Sequence, residues 1–315
     1  MRAIIPVAGL GTRLRPHTLT RPKSLLHVAG KPILAHILDE LVAAGIRQVV
    51  LVIGHMGEQV VDWVRTHYDL DAAFVEQTEP LGNGHAVYVA REHLADGPVL
   101  ILFGDTIVRA HLPDLLARPE STAAVKTVDD PRRFGVAEVD GRGFVRRLVE
   151  KPEVPTSHLA LIGLYLIRDA RLLGESLERM VRERRQARGE FWLVDALQLM
   201  LDAGEGMRTF PITHWYDCGT VEALLQANRE LLDLDAPPVP VLPDAVVIPP
   251  AYISPQARIT RAVVGPYVSV GEGAAISGSV VRDTIVHPGA TIEDALVAGS
   301  VIGEGARVTG RSAVS

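Results

Sequence analysis

Four copies of one short pattern close the chain, and their spacing leaves few folds open. Ile253-Ser-Pro-Gln-Ala257, Val270-Gly-Glu-Gly-Ala274, Val286-His-Pro-Gly-Ala290 and Ile302-Gly-Glu-Gly-Ala306 each set a β-branched residue ahead of a tight turn. Each alanine is followed two residues later by Ile259, Ile276, Ile292 or Val308, and the alanines at 257, 274, 290 and 306 step by 17, 16 and 16 residues. Short β-branched strands at a fixed period, with a small residue where the chain turns, are the sequence form of a β-helix. A β-sandwich would alternate in the same way but would not hold this register. Ahead of the repeat, Pro237, Pro238, Pro240, Pro243, Pro249 and Pro250 crowd a stretch without periodicity, which reads as a stiff linker. The expected division of the 315 residues is therefore 1–232, a linker 233–250 and a β-helix 251–315.

The first two-thirds alternates short apolar runs with helical patterns. Strands are expected at Ala3 to Val7, Gln48 to Ile53 and Val99 to Phe103, and helices at Pro32 to Ala44, closed by Gly45, and at Glu58 to His67. Pro32 suits a first helical position, where its missing N–H has no partner to lose. The alternation implies parallel pairing in an open α/β sheet, whose ligands bind beyond the carboxyl ends of the strands. The Gly9 loop and Gly104-Asp105 fall there.

Apolar residues make up 47% and charged residues 22%, the balance of a packed globular chain, and no apolar run approaches the roughly 18 residues of a membrane span. Arg13 and Arg15 interrupt the apolar start before it could serve as a signal peptide. A single cysteine, Cys218, points to a reducing compartment, and a cytoplasmic location is expected. A net charge of −6 argues against a nucleic-acid binder. The exception is local, because Met1 to Leu38 holds no Asp or Glu but carries Arg2, Arg13, Arg15, Arg21, Lys23 and Lys31. Such a segment in an acidic chain suggests a focused anion site.

Gly9-Leu-Gly-Thr-Arg13 follows the first strand directly. Its backbone N–H groups could cradle phosphate oxygens, although a glycine turn after a strand is also common. Arg13, Arg15 and Arg21-Pro-Lys23 add cations for phosphate. No Gly-Lys-Ser/Thr closes a P-loop, and Ile53-Gly-His stands where a dinucleotide site needs an acidic residue. Single residues keep plainer readings beside the functional ones. Asp105 could cap a following helix, Asp217 could accept a turn hydrogen bond, Lys151 could be solvated, and Gln77 could lie exposed at a strand end. His85 is expected to pack or cap behind Gly84, and His287 to face solvent at a turn.

Gly9-Leu-Gly-Thr-Arg-Leu14, Arg21-Pro-Lys23 and Gly30-Lys-Pro32 together resemble the signature of sugar-1-phosphate nucleotidyltransferases, and the motifs of that family run in order from Met1 to about Leu232. The resemblance implies a Rossmann-like, mixed-sheet α/β catalytic domain, and the tail is similar to the hexapeptide-repeat left-handed β-helix that several members append. It implies a nucleotide site at Ala8, Gly9, Gly11, Thr12, Arg13, Lys23 and Asp105, with Gln77 and Gly82 reading the base. Gly135, Glu150, Lys151, Gly163 and Trp192 would form the sugar-phosphate side, and Asp105 and Asp217 would bind Mg2+. Arg13, Lys23 and Lys151 would carry catalysis. The chemistry suits these residue types: a sugar phosphate oxygen attacks the α-phosphorus in line, both reactants are anionic, and magnesium with two carboxylates lowers their repulsion.

Glucose 1-phosphate with dTTP or UTP is the expected substrate pair, with guanylyl transfer to mannose 1-phosphate as the alternative. Two departures bear on this choice. Phe191-Trp192 follows Arg188-Gly-Glu190 where thymidylyl members carry a second acid, and Ala8 stands where they often have Gly. A β-helix acyltransferase and a non-catalytic regulatory homologue are more remote readings. No nucleic acid or membrane partner is expected, and the β-helix is expected to support a homo-oligomer.

Overall fold

The computed structural model describes residues 1–94 and 97–310. The chain packs as two compact units, one formed by Met1–Leu10 with His36–Trp215 and the other by Gly11–Ala35 with Tyr216–Ser315.

In the first unit the strand Arg2–Pro6 buries Ala3, Ile4 and Ile5 completely. A strand apolar on both faces belongs inside a sheet, and this one runs parallel to Gln48–Ile53 on one side and to Val99–Leu102 on the other. Gln48–Ile53 forms as expected and pairs in parallel with Asp71–Glu76. Among the described residues this sheet has nine strands, and it is mixed. Leu159–Ile167, buried over eight of its nine positions, runs antiparallel to Val99–Leu102, Ser121–Thr127 and Gly135–Val139. Val145–Glu150 continues antiparallel beyond Gly135–Val139, and Met207–Pro211 pairs in parallel with Ser121–Thr127. Purely parallel pairing, as the alternation suggested, is thus confined to one half of the sheet. Helices pack over it through a core that includes Val50, Val87, Ile101, Tyr165, Leu173, Leu197 and Met200.

Three local expectations shift. The helix Ile33–Ala43 starts one residue after Pro32, which instead ends the two-residue strand Lys31–Pro32. The second helix, Gly57–His67, gains one residue at its start. Gly104-Asp105 leads into a strand, Thr106–Arg109, so Asp105 does not cap a helix.

In the second unit the repeat becomes three parallel ladders. Ala251–Ile253 pairs with Val268–Val270, which pairs with Thr284 to Val286, and these with Ser300 to Ile302. Arg258–Thr260, Ala275–Ser277, Thr291–Glu293 and Arg307–Thr309 form the second, with Ile259, Ile276, Ile292 and Val308 stacked in register. The third begins inside the proline-rich stretch, where Val246–Val247 pairs with Val263–Val264, then Val280-Val281 and Leu296-Val297. Parallel strands in this register fit a β-helix. Inward-facing Val264, Val268, Ile276, Val281, Val286 and Ile292 fill its core.

The segment Gly11–Ala35 belongs to this second unit. Asn228, on the helix Val221–Asp235, accepts at Oδ1 from the Ala29 backbone N–H at 2.9 Å and from Ser269 Oγ at 2.6 Å, and donates to the Tyr267 carbonyl at 3.1 Å. Arg21 binds Glu304 through two nitrogens, at 2.6 and 2.8 Å. The rings of His17 and His27 lie 6.2 and 6.0 Å from that of His287. His287 is only 2% exposed, which corrects the expectation that it faces solvent: a segment some 260 residues earlier in the chain covers its turn. Burial lowers the pKa of His287 to about 3 and that of His27 to about 4.

Candidate functional site

Each unit holds some of the residues expected of the site. In the first, the strand Arg2–Pro6 runs out into Val7, whose N–H donates to the Val52 carbonyl at 2.8 Å. Ala8 packs on Gly54, where an added Cβ would meet the Ala8 carbonyl at 2.8 Å. Gly9 faces open space, with nothing within 4 Å of where a Cβ would stand. Gly104 N–H donates to the Pro6 carbonyl at 3.0 Å, which sets the half-buried Asp105 beside the same strand end.

Gln77 is not exposed at its strand end. It is 8% exposed, and its Nε2 lies 3.0 Å from the Gly82 carbonyl and 3.1 Å from His85 Nδ1. Gly82 holds φ at +99°, and an added Cβ would stand 3.0 Å from the Phe191 N, so no side chain fits there. Segments 81–84 and 191–193 are laced together: Phe191 N–H donates to the Leu81 carbonyl at 2.8 Å, Gly84 N–H to the Phe191 carbonyl at 2.9 Å, and Leu193 N–H to Asn83 Oδ1 at 2.8 Å. His85 does pack, with its ring 6.2 Å from Phe191 and 6.0 Å from Tyr88.

Trp192 joins this region to Lys151, whose Nζ stands 3.8 Å from the centre of the indole ring. This is a cation–π contact, favourable because the ring face is electron-rich. The indole N–H donates to the Ala187 carbonyl at 3.2 Å and so is held in place. Lys151 is not simply solvated: its φ is +42°, an unfavourable conformation for a residue with a Cβ, its N–H donates to the Phe134 carbonyl at 3.1 Å, and its Nζ lies 3.7 Å from Glu150 Oε1. Burial raises the Glu150 pKa to about 7, against the pull of Lys151 and with a further push from Asp195 and Glu190. Gly135 lies against Glu150, since an added Cβ would be 2.8 Å from Oε2. Gly163 accepts from the Phe103 N–H at 2.9 Å, next to Gly104.

The second unit holds Gly11, Thr12, Arg13, Lys23 and Asp217. Gly11 adopts φ +59° and accepts at its carbonyl from Thr18 Oγ1 and from the Leu14 N–H, both at 2.8 Å. A Cβ on it would press on Thr18 and Lys23, which puts Lys23 against the loop. Thr12-Arg13 form the short 3-10 turn Thr12–Leu14. Arg13 and Asp217 converge on Gly219: a Cβ there would be 2.9 Å from Arg13 Nη2 and 2.9 Å from Asp217 Oδ1. Arg21, read in the sequence as part of the anion site, is instead engaged by Glu304. Gly219, Glu304, Glu190 and Asp195 were given no site role in the sequence, although Glu190 stands in Arg188-Gly-Glu190, Glu304 in the last repeat and Gly219 two residues after Asp217.

The model of the family described as nucleotidyl transferase matches residues 2–233. The chain is 33% identical to a glucose-1-phosphate thymidylyltransferase of Streptomyces griseus, over 98% of this chain and 94% of that protein. It is 32% identical to a UTP–glucose-1-phosphate uridylyltransferase of Haloferax volcanii, over 73% of this chain and 96% of that one. Among solved structures it is similar, at TM-score 0.65 and 25% identity, to a Bacillus anthracis protein described as a glucose-1-phosphate thymidylyltransferase in complex with sucrose, over 76% of this chain and 98% of that one.

Proposed function

Because this chain belongs to the nucleotidyl transferase family, we propose that it joins a nucleoside triphosphate to a sugar 1-phosphate, with glucose 1-phosphate and either dTTP or UTP as the substrates. An oxygen of the sugar phosphate attacks the α-phosphorus, the bond from that phosphorus to the bridging oxygen of the β-phosphate breaks, and pyrophosphate leaves. The observation that carries this reading is Lys151, fixed at φ +42° with its ammonium 3.8 Å over Trp192 and 3.7 Å from Glu150. A cation held in place is what a mobile anionic acceptor needs in order to be aimed. Relatives on both the thymidylyl and the uridylyl side support the choice of base and sugar.

Each residue then has a task. Ala8, Gly9, Gly11 and Thr12 present backbone to the triphosphate, and the open space beside Gly9 leaves room for it. Arg13 and Lys23 hold the charge that accumulates on pyrophosphate. Gln77 and Gly82 meet the base, while Glu150 and Trp192, with Gly135 and Gly163 making room, meet the sugar. Asp105 and Asp217 would each offer hard carboxylate oxygens of the kind Mg2+ prefers, and Gly219 carries no side chain beside Asp217 Oδ1. Magnesium there would neutralise phosphate charge and polarise the α-phosphoryl group.

In the proposed division residues 1–232 carry this chemistry, 233–250 connect, with Val246–Val247 already paired into a ladder, and 251–315, of which 311–315 lie outside the described residues, form a left-handed β-helix that supports a homo-oligomer. The lone buried thiol of Cys218 supports a cytoplasmic location. The test supplies purified protein with magnesium, each of five nucleoside triphosphates and a panel of sugar 1-phosphates while pyrophosphate is measured. Release with glucose 1-phosphate and dTTP or UTP is expected, and silence with every pair would refute the proposal.

A further inference from the structure

Two contacts of the Gln77 amide determine what it can offer a ligand. The Gly82 carbonyl can only accept, so the group 3.0 Å from it must be the amide nitrogen, and that assignment fixes which way the amide points. The same nitrogen lies 3.1 Å from His85 Nδ1. Since Nε2 of Gln77 is a donor, Nδ1 must accept, and the ring proton sits on the other nitrogen. Ring contacts, stacked with Phe191 and tilted with Tyr88, fix the plane of the imidazole. Both amide hydrogens are then committed, and only the carbonyl Oε1 is left for a nucleobase.

We infer that His85 is a positioning residue that locks Gln77 as a pure hydrogen-bond acceptor, so that the site takes bases with a ring N–H and turns away those with a bare ring nitrogen at that edge. Uracil and thymine carry such an N–H at N3, and guanine carries one at N1. Cytosine at N3 and adenine at N1 present a lone pair, which would face the Oε1 lone pairs. Rejection by an unpaired or repelling polar group is sharper than rejection by shape. Without His85, one amide hydrogen loses its partner and the amide can turn its NH2 toward the base, which suits cytosine. The inference rests on the proposed meeting of Gln77 with the base.

Pyrophosphate release from UTP and CTP, each with glucose 1-phosphate, measures this as the ratio of kcat/KM values. His85→Ala is expected to lower the UTP-to-CTP ratio by about tenfold, the worth of one lost hydrogen bond, with KM for glucose 1-phosphate unchanged. His85→Asn, whose Oδ1 can accept from Gln77, is expected to restore most of the ratio, which a merely structural role for the ring would not predict. Gln77→Ala serves as the control and should lower the ratio at least as far. A ratio that falls in Gln77→Ala but stays level in His85→Ala would overturn the positioning role alone. A ratio that stays level in Gln77→Ala would overturn the base-facing role of Gln77 and this inference with it, while leaving the transfer reaction standing.

Discussion

Gly219 matters for the side chain it lacks. Arg13 Nη2 and Asp217 Oδ1 both reach to 2.9 Å of the point where its Cβ would stand. Gly219→Ala is therefore expected to displace the guanidinium or the carboxylate and to cut kcat/KM for the triphosphate by roughly 10²-fold, the usual cost of misplacing one charge-stabilising group. Steady-state kinetics with varied triphosphate would show it, and a wild-type value would remove Arg13 and Asp217 from the proposed machinery. Glu150 makes a pH prediction. Its pKa is raised from 4.5 to about 7, so the folded chain binds this proton more tightly than the unfolded one. Stability from this group is thus present below 4.5 and is lost as pH rises through 7. Function runs the other way, because an ionised carboxylate accepts sugar hydroxyls more strongly than a neutral acid. Glu150 should therefore make kcat/KM for the sugar phosphate climb between pH 6 and 8, and Glu150→Gln should flatten that limb while adding stability at pH 8. Neither effect was legible in the sequence. The motif Glu150-Lys-Pro152 marks the position, but the pKa is moved first by burial in the folded chain and then by the like charges of Asp195 and Glu190, some 40 residues further on.

At the scale of elements, the segment Gly11–Ala35 and the coil of the second unit share a buried contact that titrates. His27 and His287 have their pKa lowered from 6.5 to about 4 and about 3, first by burial, with His17 and Arg21 adding positive charge beside them and Glu304 paired to Arg21. Among the described residues, His27 Nδ1 and His287 Nε2 are buried without a hydrogen-bond partner, so a proton on either would stay poorly solvated. Unfolding lets both rings take up protons near 6.5, and stability from this contact is full above that value and drains as pH falls from 6.5 toward 4. A thermal melt should drop in Tm between pH 7.5 and pH 5, and His287→Leu, which fills the space without a basic nitrogen, should lose part of that slope. Equal slopes in the two proteins would show that the cluster does not drive the change. The coil itself could be read in advance because its period is local: the 16-residue step sets Ile276 opposite Ile292 whatever else the chain does. The covering of His287 could not, because nothing in Val286-His-Pro-Gly-Ala290 records a partner some 260 residues away.

For the molecule as a whole, the mixed sheet shows how far alternation carries a prediction. Apolar runs at Ile4, Val50 and Ile101 identify buried strands, yet a run such as Leu159–Ile167 reads the same whether its neighbours are parallel or antiparallel, since both of its faces are covered. Partner surfaces have a clearer signature. On the outer side of one ladder, Val246, Val263, Val280 and Leu296 stand in register, and Val246, Val280 and Leu296 are 57%, 41% and 86% exposed. A row of aliphatic side chains in water is costly at roughly 25 cal/mol per Å2, and a regular row, unlike scattered single residues, offers a self-complementary strip to a second copy. If the proposed homo-oligomer uses this strip, Leu296→Lys should break it without disturbing the fold, because the side chain it replaces touches little within its own chain. Light scattering of the full-length protein should then fall from the mass of an oligomer to that of one 34.0 kDa chain, with pyrophosphate release still present. An oligomer that survives Leu296→Lys together with Val280→Lys would move the interface off this ladder.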